Sequence, residues 1–85
     1  MRTFTYTITD ETGIHARPAG ELMKTAKGFQ SEIMLEANGK RAGAGKLMAV
    51  MAMGIRKGQQ VTVTIEGPDE DAAAAALEEF FRKNL

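Results

Sequence analysis

Gly13-Ile14-His15-Ala16-Arg17-Pro18-Ala19 is the stretch where the chain changes its period. Ahead of it, Phe4, Tyr6 and Ile8 alternate with Thr3, Thr5, Thr7 and Thr9, the period of two that predicts a strand over residues 2–9. Asp10-Glu11-Thr12-Gly13 is polar and ends in glycine, so the strand stops there. Behind it, Ala19, Leu22, Met23 and Ala26 fall at i, i+3, i+4 and i+7, which predicts a helix from about Ala16 to Lys27 with one apolar stripe. Pro18 falls in the first turn, where its missing N–H costs nothing. Gly28 is placed to end the helix in a left-handed cap, and Lys24 and Lys27 complement the negative end of its dipole.

Downstream, Ser31 to Ala37 reads as a second strand with Ile33, Leu35 and Ala37 inward. Asn38-Gly39 predicts a type I′ hairpin turn into a short basic strand, Lys40 to Gly43, whose charge discourages edge pairing. Gly45 to Gly54 brackets a short helix. Leu47, Val50 and Met51 share one face, while Met48, Ala52 and Met53 cover much of the rest. A helix so short and apolar is either fully buried or shows an apolar patch to solvent, and full burial on every side is hard to arrange in a chain of this size. Met23, Met34 and Met53 read instead as core filling. Val61, Val63 and Ile65 alternate with Thr62, Thr64 and Glu66 in a fourth strand. The last helix runs from Asp69 or Glu70 to near Lys83, with acids at its positive end, bases at its negative end, and Ala73, Ala74, Leu77, Phe80 and Phe81 inward. The order is β-α-β-β-α-β-α: an α+β arrangement of one four-stranded sheet covered on one face by three helices, with the threonine face open to water.

The 85 residues suffice for one small domain, 1–85, and the 44% apolar content supports only a thin core. The chain has no cysteine, which excludes disulfides, thiolate chemistry and cysteine-bound zinc. No run approaches the roughly 20 apolar residues of a membrane span, so no membrane insertion is expected. The N-terminus lacks the apolar core of a signal peptide, and a cytoplasmic protein is expected. Net charge is zero but uneven: residues 13–58 hold eight bases against three acids, and residues 59–85 hold two against six. The basic segment favours acidic partners. A nucleic-acid partner is not expected, since overall charge is nil and exposed strands lack stacking aromatics.

His15 is the only histidine. At or beside the helix N-cap it adjoins the N–H groups of Ala16 and Arg17, which have no intrahelical acceptor. Those donors and the dipole favour an anion and disfavour an imidazolium, which leaves a neutral, nucleophilic ring. If that ring attacks a phosphoryl group, the new negative charge forms beside the same N–H groups, and Arg17 can reach its oxygens. The residue set suits a reversible phosphohistidine. One histidine without cysteine cannot build a multi-ligand imidazole site, so no metal is expected, and Thr12 is the only other nucleophile near it. No cofactor-binding motif is present.

The same residues resemble the active-site motif of HPr, the histidine-containing phosphocarrier of the bacterial phosphoenolpyruvate:sugar phosphotransferase system. The resemblance extends collinearly through Asn38-Gly39-Lys40, Met48 to Ile55, Lys57-Gly58 and Gly67-Pro68-Asp69-Glu70 with the alanine-rich helix. It implies the family's open-faced β-sandwich. It implies that His15 takes a phosphoryl group on Nδ1 from enzyme I and passes it to the IIA domain of a sugar permease, with Arg17 and the Ala16 N–H stabilising the phosphate. Such a protein is a carrier with no turnover or cofactor of its own, and a monomer is expected. The implied docking surface joins Thr12, Ala16, Arg17, Gly20, Lys24 and Lys27 to Leu47, Met48 and Met51. This agrees with the apolar patch beside basic charge, and methionines suit several partners.

One departure from the family pattern bears on regulation. In many Gram-positive members, the residue at the start of the second helix is a serine that a dedicated kinase phosphorylates for catabolite repression. Here it is Lys46, and no serine or threonine lies between Ser31 and Thr62. The switch is therefore expected to be absent. Two other readings remain: a regulatory binding module of the same fold that transfers nothing, and a carrier of a nitrogen-type phosphotransferase pathway.

Overall fold

The structure, a computed structural model, describes residues 1–85. Seven elements follow the expected order: β1 (Arg2–Thr7), α1 (Ala16–Lys27), β2 (Glu32–Ala37), β3 (Lys40–Gly43), α2 (Leu47–Ala52), β4 (Gln60–Glu66) and α3 (Glu70–Asn84). The strands form one antiparallel sheet in the order β1-β4-β2-β3. The three helices cover one of its faces, giving the open-faced β-sandwich.

Register explains which face is dry. Val61, Val63 and Ile65 of β4 lie beside Ile33, Leu35 and Ala37 of β2, and all six are buried under the helices. The alternate positions pair Thr3 with Thr64 and Thr5 with Thr62 across β1 and β4, on the open face. From the helices, Pro18, Ala19, Leu22 and Ala26 of α1 and Ala73, Ala74, Leu77 and Phe81 of α3 close the core. Phe81 is its largest fully buried side chain; it meets Phe4, Tyr6 and Phe80 edge-to-face at centroid distances of 5.8, 5.6 and 6.1 Å. Asn38 and Gly39 both take positive φ, 56° and 74°, as the type I′ turn requires.

Four expectations are corrected in detail. β1 ends at Thr7 rather than Thr9, because the Thr9 and Asp10 N–H groups turn to the Leu85 carbonyl at 2.5 and 2.8 Å. α2 is six residues long, shorter than its glycine brackets, and Met53 closes it in a tighter turn onto the Val50 carbonyl. Gly28 is right-handed at φ −76°; its N–H reaches the Thr25 carbonyl at 3.2 Å, so α1 ends by tightening its last turn. Met53 belongs to the core, but Met23 and Met34 are only half-buried. Met34 lies on the open face, because Ile33 and Leu35 on either side of it take the inner one.

Candidate functional site

The loop into α1 is shaped before His15 is reached. The Asp10 carboxylate accepts the Thr12 N–H at 3.0 Å, and the Asp10 carbonyl accepts the Gly13 N–H at 3.1 Å. Gly13 sits at φ 69°, and a Cβ there would lie 2.3 Å from the Ile55 carbonyl oxygen and 2.8 Å from the Arg56 Cα. Only glycine fits on both counts. The next N–H, of Ile14, donates to the same Ile55 oxygen at 3.1 Å, and the Ile14 side chain is buried. The loop thus hangs on the Ile55–Arg56 peptide, with a Lys57–Glu11 ion pair across its outside.

His15 follows as the N-cap of α1. Its backbone is extended (φ −103°, ψ −169°), its carbonyl accepts the Ala19 N–H at 2.9 Å, and its half-buried side chain makes no capping bond. The N–H groups of Ala16 and Arg17 have no acceptor, and Pro18 has no N–H to offer. Arg17 is exposed, and its guanidinium enters none of the four ion pairs. Two open donors, the positive end of a twelve-residue helix and a free guanidinium therefore surround one imidazole. That arrangement can hold a dianionic group on the ring.

The other predicted residues sort by place. Thr12 is exposed on the loop, and Ala16, Gly20, Lys24 and Lys27 follow along the solvent side of α1. On α2, which packs against α1, Leu47 is half-buried, Met48 is 75% exposed and Met51 36%, while Val50 points into the core. The expected apolar patch exists, and Met48 dominates it. Lys27 lies about 18 Å from His15 along the helix axis at 1.5 Å per residue, so Lys27 can touch a partner but not a group on His15. Its stem runs past Gly45, where a Cβ would stand 3.8 Å away, at the start of α2.

His15 lines neither depression of the surface. The larger, about 690 Å³, lies at the far end of α1 between Ala26, Phe29, Met34 and Lys46. A ring that sits outside any cleft is open to the surface of a partner protein. No three His, Cys, Asp or Glu side chains converge as metal ligands. The perturbed titrations lie elsewhere. Asp69 is held below the usual carboxylate range by the Ser31 hydroxyl and the Gln30 N–H, and Glu70 by the Met1 ammonium, whose own value rises in return. Glu79 is lowered by Lys83 one turn on.

Two residues that support the loop carry no local sign of doing so. Asn38 reads as a turn residue, yet its Nδ2 donates to the Met53 carbonyl at 3.2 Å and to Gln59 Oε1 at 3.1 Å. Gln59 reads as a polar turn position, yet its Oε1 also accepts the Arg56 N–H at 2.7 Å.

An open-faced sandwich with a histidine at the N-cap of its first helix has the architecture of the histidine phosphocarriers. A family model described as the phosphorylation site of the phosphotransferase-system HPr component matches residues 2–83, and the chain belongs to the HPr family. A histidine-containing phosphocarrier protein from Mycoplasma is 39% identical over 96% of this chain and 93% of its own, with a TM-score of 0.93. An HPr from Thermoanaerobacter tengcongensis is 36% identical over 98% and 93%, with a TM-score of 0.92. The Bacillus subtilis catabolite-repression protein Crh, solved as a domain-swapped dimer, is 30% identical over 94% and 92%, with a TM-score of 0.77. As in HPr generally, the role is that of a phosphocarrier of the phosphotransferase system rather than a catalyst. No helix is long and apolar enough to cross a membrane.

Proposed function

We propose that residues 1–85 act as one cytoplasmic carrier domain that accepts a phosphoryl group on Nδ1 of His15 from phospho-enzyme I and delivers it to IIA domains of sugar permeases. In the first step the neutral imidazole attacks phosphorus as the P–N bond to the enzyme I histidine breaks, and that histidine keeps the bonding pair. In the second, His15 is the leaving group. The observation that carries this reading is the place of His15 at the N-cap of α1, beside two N–H groups with no other acceptor. Those donors and Arg17 stabilise the transferred dianion without a metal on the carrier. Docking uses Thr12, Ala16, Arg17, Gly20, Lys24 and Lys27 with Leu47, Met48 and Met51, a basic surface around an exposed apolar centre. The chain acts as a monomer in this reading.

Mixing the chain with enzyme I and phosphoenolpyruvate, and reading intact mass, tests this. An acid-labile gain of one phosphoryl group, absent in His15→Ala, supports the carrier. No gain would leave the regulatory module, a reading to which the likeness to Crh lends some weight. Lys46 at the N-cap of α2 gives a serine kinase no hydroxyl, so the carrier works without that switch.

A further inference from the structure

We propose that Asn38 and Gln59 are positioning residues for transfer at His15, fixing from the hairpin tip the peptide on which the His15 loop hangs. The inference rests on the carrier reading above. Its chain of contacts is short. Asn38 Nδ2 has two hydrogens and faces Gln59 Oε1 at 3.1 Å, the Met53 carbonyl at 3.2 Å and, more weakly, the Gly54 carbonyl at 3.4 Å. Gln59 Oε1 is a shared acceptor: it takes the Asn38 amide on one side and the Arg56 N–H, at 2.7 Å, on the other. The residues between these anchors, Gly54 to Arg56, carry the Ile55 carbonyl that receives the Ile14 N–H and abuts Gly13. His15 is the next residue, and its backbone sets the open N–H groups of α1.

The segment needs such anchors. Gly54, Arg56, Lys57 and Gly58 are exposed, and only the Ile55 side chain locks into the core between Met53 and Gln59. Burial of Ile55 fixes its depth. It does not fix the rotation of the 55–56 peptide, which is what aims the carbonyl at Ile14. The two side-chain bonds constrain that rotation from both ends. Lys40 Nζ, on the same hairpin, adds a bond to the Ala52 carbonyl at 3.4 Å, so the hairpin also holds the end of α2.

Asn38→Gly separates the two roles of this residue. Glycine accepts the left-handed turn at least as well, so the hairpin survives while the amide donor is lost. Transfer from phospho-enzyme I at saturating carrier is expected to slow about tenfold with KM little changed, as expected of reacting groups displaced by a fraction of an ångström. The backbone amide resonances of residues 13–17 and the His15 ring signals should shift, and the half-life of the phosphohistidine should change. Gln59→Ala should behave alike. Gln59→Glu, which keeps the shared acceptor oxygen, should transfer at the wild-type rate at neutral pH. Asn38→Gly with wild-type turnover and unmoved resonances at 13–17 would overturn the proposal even if its melting temperature fell. A wild-type chain that takes up no phosphoryl group would instead overturn the carrier reading.

Discussion

The Asp69 carboxylate joins Ser31, 38 residues away, rather than capping the helix it begins. It accepts the Ser31 N–H at 2.9 Å, the Ser31 hydroxyl, and the Gln30 N–H at 2.8 Å, and so ties the start of β2 to the start of α3. Gly67 is pressed on the same point: a Cβ there would lie 2.6 Å from the Ser31 Cα. Asp69→Ala removes the acceptor of three donors at once. It should lower Tm by roughly 5 °C or more, while Ser31→Ala, which leaves both N–H bonds in place, lowers it less.

The same group sets an acid limit. The Ser31 hydroxyl first, then the Gln30 N–H, hold the Asp69 carboxyl below its ordinary value of 3.8. A depressed carboxylate contributes its stability above the unfolded-state value and loses it as pH falls through the lower, folded one. Glu70 and Glu79 are shifted the same way, so they add to the trend. Denaturant midpoints should therefore hold from neutral pH to about 5, then fall below about 4, with a shallower fall in Asp69→Asn. Equal slopes in the two proteins would contradict this.

Two glycines near the site should respond in opposite directions to alanine. Gly13→Ala forces a side chain into the Ile55 carbonyl at an unfavourable φ, and should cost roughly 1–3 kcal/mol and slow phosphoryl uptake. Gly20 lies inside α1 with nothing within 4 Å of the added methyl, so Gly20→Ala should stabilise by about 0.5–1 kcal/mol. Thermal melts of the pair distinguish a required glycine from a tolerated one.

Much of this was legible because it is local. Alternation marks β1 and β4, the i, i+3, i+4 spacing marks α1, and Asn38-Gly39 marks the hairpin. His15 stood out as a lone imidazole at the boundary between two periods. What stayed hidden depends on neighbours far along the chain. β1 stops early because Leu85 supplies the next acceptor, and Met34 faces outward because β4 fixes the register of β2. Asn38, Gln59 and Asp69 each look like turn or cap residues, and their bonds span 15, 21 and 38 residues. No periodicity in the sequence reports such bonds.

Met48 and Val50 are two residues apart on α2 and should divide docking from folding. Met48 is exposed, so Met48→Ala should leave Tm unchanged but raise the KM for enzyme I several-fold. Val50 is buried, so Val50→Ala should cost about 1–3 kcal/mol and leave the affinity of the folded protein near normal. The basic rim of Lys24 and Lys27 predicts that association slows as salt rises.

Arg17 is exposed and unpaired, so the fold does not depend on it. Arg17→Ala should melt like the wild type yet transfer roughly a hundredfold more slowly, the loss typical of one donor to a charged transition state. Arg17→Lys keeps the charge but not the fork of donors, and should fall between them. Rapid-quench measurement of uptake from phospho-enzyme I reads both.

Lys46 occupies the N-cap of α2 with no side-chain capping bond, and places a positive charge at the positive end of the helix. Serine there would accept an N–H bond and remove the charge. Lys46→Ser should therefore stabilise the fold by about 0.5–1 kcal/mol, a Tm rise of roughly 5 °C. It would also create a hydroxyl in a segment that has none between residues 32 and 61. Incubation with an HPr kinase should then yield acid-stable phosphate on Lys46→Ser and none on the wild type. Acid-stable phosphate on the wild-type chain would show that another hydroxyl serves the switch.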